Sequence, residues 1–373
     1  MDLQSLDTPA LILDKTIVER NTSRMSERMK KHDVLLRPHL KTAKSARVAK
    51  LATAGHGGAI TVSTLAEADY FLDQGFDDIT YAVCTVSGKL PQAAALIAGG
   101  ADLKILTDNA DTAAAIAAYD HGVRFKVLVE IDCGDARTGV LAESPELIEI
   151  SNILNDAKNC DLLGVLTHGG HSYLANNVAG IKKAASEERQ AILRAADRLR
   201  RSDLPCPVVS AGSTPTAVHG ETYEGITEMR PGVYVFFDLD QLARNACARE
   251  DLALSVLASV IGHNRHIGHI AIDAGALALS KDISANANWP QVGYGSICHP
   301  ETMAPLNDLH VARVSQEHGV IPVTDDGTYD RLPIGSKVRV LPNHACITAA
   351  GYDCYHVIEG TQVVDEWDRV NGW

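Results

Sequence analysis

From residue 34 to about residue 240, two textures alternate along the chain. Short runs rich in Val, Ile and Leu fall at 34–38, 59–63, 78–83, 102–107, 125–131, 162–167, 207–210 and 226–236. Each gives way to a polar or glycine-bearing turn. Most are then followed by a longer, often Ala-rich stretch with apolar residues three and four apart, as at 45–54, 64–74, 90–98, 109–118, 144–157 and 179–201. The first period is that of a buried strand and the second that of an amphipathic helix. Strands that alternate with helices pair in parallel, and eight such units close into an α/β TIM-type (β/α)8 barrel, with a doubly wound open sheet as the alternative.

Beyond residue 245 the pattern changes to Val-, Ile- and Gly-rich runs without long helical stretches, which predicts an antiparallel β domain. Residues 9–13 are also strand-like and precede the first barrel unit. The expected division is therefore a barrel over 16–245 and a C-terminal β domain over 246–373, joined by the N-terminal strand within 1–15. No Pro/Ser-rich linker or charge block separates the two parts.

Composition narrows the function classes. Apolar residues make up 46% and charged residues 22%, so a packed core is expected rather than disorder. A net charge of -13 disfavours nucleic acid or an anionic membrane as partner. No apolar stretch is long enough to span a bilayer, and the N-terminus lacks the basic and apolar regions of a signal peptide, so a cytoplasmic protein acting on a small molecule is expected. The eight Cys are scattered without a C-x-x-C pair, which makes a disulfide framework improbable.

In a barrel, chemistry gathers at the C-terminal ends of the strands. His39 and Lys41 follow the first expected strand, Arg137 lies in the segment after the fifth, and His168, His171 and Tyr173 come after the sixth. Gly212, Ser213 and Thr214 follow the seventh, and Gly232, Val233 and Tyr234 belong to the eighth. A single lysine after a strand is ordinarily a solvated surface residue. Here Pro38 restricts the backbone and His39 is adjacent, and a lysine placed so can form an imine with a carbonyl cofactor. The Gly212-Ser213-Thr214 turn offers backbone N–H groups and hydroxyls where barrels commonly hold phosphate, although such turns also occur without a ligand. His344 and Cys346 form a His-x-Cys pair whose side chains share one face of an extended segment, within reach of one metal ion; most such pairs bind nothing.

Taken in order, Arg37-Pro38-His39-x-Lys41-Thr42, Gly212-Ser213-Thr214, Arg230-Pro231-Gly232-x-Tyr234, Asp273-Ala274-Gly275, Glu317-His318-Gly319 and Pro342-x-His344-x-Cys346 resemble the D-serine dehydratase and D-threonine aldolase family of fold-type III pyridoxal-phosphate enzymes. The resemblance spans nearly the whole chain. It implies an alanine-racemase-like architecture and a homodimer. It further implies that Lys41 holds pyridoxal 5'-phosphate, that Thr214, Gly232 and Val233 help bind it, and that His344 and Cys346 ligate a divalent metal, zinc, manganese or cobalt. Two departures stand out: many relatives have His where this chain has Ala43, and some have Tyr at the position of Leu166.

The activity so implied is dehydration of a small D-β-hydroxy amino acid, such as D-threo-3-hydroxyaspartate or D-serine, to a 2-oxo acid and ammonia. The nearest rival is D-threonine aldolase chemistry, whose enzymes carry His-x-Asp at the metal position where this chain has Cys346. A rival of another class is a non-catalytic carrier of the cofactor, against which the full C-terminal domain speaks.

Overall fold

The computed structural model describes residues 2–373, apart from the side chains of residues 307 and 308. The chain forms two compact units: residues 23–232 with 372–373, and residues 2–22 with 233–371. The changeover at Gly232/Val233 precedes the expected boundary at 245/246. The segment after Val233 is bonded into the second unit, where Phe236 O accepts from Ala253 N and Asp240 N donates to Asn343 O.

In the first unit the strands run in the order Leu35–Leu36, Glu228–Met229, Val208–Ala211, Cys160–Thr167, Phe125–Asp132, Asp102–Thr107, Asp78–Cys84 and Ile60–Val62. Every neighbouring pair is parallel. The ends meet at a parallel bridge between His39 and Thr61, with Leu40 N donating to Thr61 O at 2.8 Å and Thr61 N to Pro38 O at 2.9 Å. The TIM-type curl expected from the eightfold pattern is therefore present.

The eighth expected strand, 226–236, is shorter than anticipated. Only Glu228–Met229 pairs, and Val233–Val235 is a 3-10 turn. Pro231 has no N–H to continue the ladder, and its carbonyl instead accepts from His39 N.

Several of the helices begin where a local side-chain cap satisfies a first-turn N–H group. Thr64 accepts from Glu67 N, Asn109 from Thr112 N and Asn177 from Gly180 N. Inside the barrel, Leu106, Leu128 and Leu166 form an apolar cluster. Several buried charged groups stand in pairs. Buried Arg37 meets Glu228 at 2.7 Å and Asp78 at 2.6 Å, and Lys104 joins Asp78 and Asp102. Removing one member of such a pair would strand an uncompensated charge.

The second unit is a mixed sheet in the order Pro305–His310, Gly295–Cys298, Lys337–Pro342, Leu254–Asn264, Ala10–Asp14, Cys354–Glu359 and Gln362–Asp368, with His269–Ile272, Gly319–Pro322 and Arg313–Val314 continuing from Leu254–Asn264. It departs from the all-antiparallel expectation at one junction. The N-terminal strand Ala10–Asp14 lies antiparallel to Leu254–Asn264 but parallel to Cys354–Glu359. A strand supplied by the far end of the chain is not bound by the hairpin connections that make its neighbours antiparallel. Leu3, Leu6, Ala10, Ile12, Leu257 and Ile358 bury the resulting seam.

Candidate active site

Lys41 lies in the turn just past Leu35–Leu36, at the C-terminal end of the barrel strands, as an exposed side chain lining a cavity of about 450 Å³. The same cavity is lined by His39, Arg137, His168 and Gly212. The structure thus brings together, around the lysine, four residues expected from separate strand ends. It adds Ser63, Cys84 and Glu130, together with Arg230 of the Arg230-Pro231-Gly232 segment and Leu166, the position at which some relatives carry Tyr.

Both histidines are set as neutral imidazoles. His39 Nδ1 accepts from Lys41 N at 3.4 Å, and His168 Nδ1 donates to Gly212 O at 3.2 Å. Burial, with Lys41 and neighbouring cations adding to it, holds His39 well below the usual histidine range. The same causes take His168 down to about 3. Tyr173 stands beside this wall, its ring 6.5 Å from that of His168. His171 does not line the cavity; its Nε2 is 3.6 Å from Glu187.

The Gly212-Ser213-Thr214 turn is held from behind. Glu188, on the helix Val178–Arg201, accepts from Gly212 N at 2.9 Å and from Gly169 N at 2.6 Å through one carboxylate oxygen. It thereby joins the loop that carries His168 to the loop expected to hold phosphate. Burial pushes the Glu188 carboxyl up, against the pull of these donors.

Gly212 has φ +122, and a Cβ there would come within 2.9 Å of Arg230 N, so the turn accepts only glycine without rearrangement. Gly232 is a second close approach, where a Cβ would lie 2.9 Å from His39 O. Ser213 caps the short helix Thr214–His219, and its Oγ lies 3.0 Å from Ser172 Oγ. Buried Arg230 donates to Thr167 O and Ser210 Oγ, and Ser210 in turn donates to Glu228 at 2.6 Å. A cavity of this size, with a lysine at its rim and a glycine-lined turn in its wall, fits pyridoxal phosphate.

Val233 and Tyr234 fall in the second unit, in the buried turn Val233–Val235, and His344 and Cys346 belong to that unit too. The His-x-Cys segment is not extended throughout. The strand ends at Pro342 and Cys346 sits in the first turn of the helix Ala345–Ala349, because Asp238 accepts from Ala345 N at 2.9 Å and opens the helix there.

The His344 and Cys346 side chains nonetheless interact, and His344 Nδ1 lies 2.7 Å from Asp282 Oδ2. Burial lowers the His344 pKa, but Cys346, Asp282 and Asp238 outweigh it and push the imidazole up to about 11. A divalent cation could take over the compensation of these anions. With Nδ1 engaged by a carboxylate, the ring would ligate through Nε2, the arrangement common to metal-binding histidines. The residues therefore fit a metal.

Comparison with known proteins places the chain. The family model for the alanine racemase N-terminal domain matches residues 13–240, and that for a serine dehydratase domain matches residues 253–358. D-threo-3-hydroxyaspartate dehydratase of Delftia sp. is 42% identical, with 100% of this chain and 99% of the relative covered. Its solved structure gives a TM-score of 0.96 with both chains covered completely. A Cys-to-Ala variant of a D-threo-3-hydroxyaspartate dehydratase in its metal-free form is 41% identical, with a TM-score of 0.97 and complete coverage of both chains. D-serine dehydratase of Dictyostelium discoideum is 30% identical over 100% of this chain and 98% of the relative. The chain belongs to the D-serine dehydratase-like family of alanine-racemase-fold enzymes, alongside D-threo-3-hydroxyaspartate dehydratase.

Proposed function

We propose that the protein is a pyridoxal-phosphate- and divalent-metal-dependent lyase that converts a small D-β-hydroxy amino acid, such as D-threo-3-hydroxyaspartate or D-serine, to a 2-oxo acid and ammonia. The observation that carries this reading is the convergence of Lys41, His39, His168, Arg137 and the Gly212 turn on one cavity.

Pyridoxal phosphate held at Lys41, with Gly212, Ser213 and Thr214 towards its phosphate, supplies the electron sink that makes the Cα proton of an amino acid labile. Lys41 Nζ is the base that takes that proton. His39 and His168 wall the cavity as uncharged rings beside Lys41. Arg137, at the rim, gives the cavity a cationic group for an anionic ligand. His344 and Cys346 would hold the divalent metal, which would supply Lewis acidity towards a hydroxyl oxygen. Asp282 orients the His344 ring for that task, and a cysteine sulfur, as a soft ligand, favours zinc. Homodimerisation belongs to the same reading and is read directly by light scattering.

The test is a product assay with D-threo-3-hydroxyaspartate, D-serine and D-threonine. Ammonia and a 2-oxo acid are expected. Glycine plus an aldehyde would overturn the dehydratase reading. Lys41→Ala should abolish the absorbance of lysine-bound cofactor; its persistence would overturn the assignment of Lys41.

A further inference from the structure

The hairpin of Cys354–Glu359 and Gln362–Asp368 closes one edge of the mixed sheet. Its register sets Cys354 opposite Asp368 and His356 opposite Glu366. Because side chains alternate along a strand, these four stand at the corners of one face, while Tyr355, Val357 and Trp367 turn to the other and are buried. Cys354 and His356 are half-buried, so their donor atoms are fixed more closely than those of a free surface pair. His356 Nδ1 lies 3.4 Å from Glu366 Oε2. One donor atom each from Cys354, His356 and Glu366 all fall within 4.8 Å of one another.

We propose that this face is a second metal site, taking zinc or a similar borderline-soft divalent cation on Cys354, His356 and Glu366, with Asp368 beside the open position. Thiolate, imidazole and carboxylate are the donors that zinc takes, and ligand atoms around a tetrahedral zinc stand about 3.3–3.8 Å apart. Closing the present set to that spacing asks for a shift of about 1 Å in side chains that reach out from a fixed backbone register. The local field favours a cation, because the negative charges of Glu366, Asp368 and Asp353 all act on the Cys354 sulfur. The site shares no residue with the His344–Cys346 pair. Its coordination would tie the terminal strand Gln362–Asp368 to the one strand with which it forms a ladder, protecting an edge otherwise held by that ladder and the isolated Asp2–Gln362 bridge.

The experiment uses the full-length holoenzyme, loaded with Zn²⁺ or Co²⁺, desalted and analysed for metal per chain. Wild type should retain two equivalents of zinc, and the pair C354S/H356A one, with turnover and the absorbance of lysine-bound cofactor kept. The pair H344A/C346S should lose turnover and also retain one equivalent, which in the cobalt form gives a sulfur-to-cobalt charge-transfer band that disappears when Cys354 is replaced as well. An unchanged metal content in C354S/H356A would overturn the proposal, and so would a wild-type protein whose metal is all lost in H344A/C346S. Retention of full zinc content by H344A/C346S would instead count against the catalytic metal pair, so the two failures are distinguishable.

Discussion

Glu188 Oε1 accepts the backbone N–H of Gly212 at 2.9 Å from a position on the far side of the turn that faces the cavity. The same oxygen accepts from Gly169 N, so one buried carboxylate sets two loops that meet where His168 bonds Gly212 O and Ser172 faces Ser213. Leaving a buried donor without a partner costs about 1–3 kcal/mol. Glu188→Ala strands two such donors and should lower both melting temperature and affinity for pyridoxal phosphate. Glu188→Gln keeps an accepting oxygen and should fall between the two. Fluorescence titration of apoenzyme with cofactor reads the order; equal affinity in all three proteins would show that the loops are held by other contacts.

Gly212→Ala should weaken cofactor binding and destabilise the fold together. The backbone at φ +122 suits glycine alone, and the added methyl meets Arg230 N at 2.9 Å. A cost of about 1–3 kcal/mol is expected for the strained conformation. Chemical denaturation of the apoenzyme measures it without the cofactor's contribution.

His168 links stability to pH. Its folded pKa of about 3 lies below the ordinary histidine value, so in the range between them the unfolded chain binds a proton that the folded chain does not. The neutral ring's contribution is complete above about pH 6.5 and is lost as pH falls from there towards about pH 3. His168→Gln should therefore flatten the fall in apoenzyme stability between about pH 6.5 and pH 4. Denaturation midpoints across that range would refute the assignment if the slope were unchanged.

Chelation should abolish turnover while leaving the absorbance of lysine-bound cofactor in place, and Zn²⁺ or Mn²⁺ should restore activity. Asp282 binds His344 Nδ1 at 2.7 Å and fixes which ring nitrogen can face a metal. Asp282→Asn should raise the metal concentration needed for half-maximal activity by about 10–100-fold, the range seen when a ligand's supporting carboxylate is lost. Unaltered metal dependence in this variant would remove Asp282 from the site.

The barrel was legible in the sequence because its strands are short apolar runs separated by capped helices, and Lys41 because it falls just past one of them. The helix Lys15–Lys31 left little trace: Ile17, Val18, Met25 and Met29 are its few apolar positions among charged and polar neighbours. Glu188 did leave one. It interrupts the buried stripe of Ile181, Ala184, Ala191, Ile192, Ala195 and Leu199, and a carboxylate at such a position signals a buried task. Glu130 was hidden by period, standing within the apolar run 125–131, and Cys84 follows directly on the run 78–83; only closure of the barrel sets both along the cavity of the lysine. Asp282 lies in an irregular stretch, where spacing carries no information about what it meets.

The bridge between His39 and Thr61 joins the first-made strand of the barrel to the neighbour that completes the circle, and Lys41 is two residues from that joint. Whatever is bonded to Lys41 is therefore attached at the seam of the cylinder. Opening the seam would free the lysine turn with it, and a ligand that spanned from that turn to the Gly212 turn would act as a buckle across the gap. Amide exchange at Leu40 and Thr61 would then be a gauge of cofactor occupancy that needs no substrate at all.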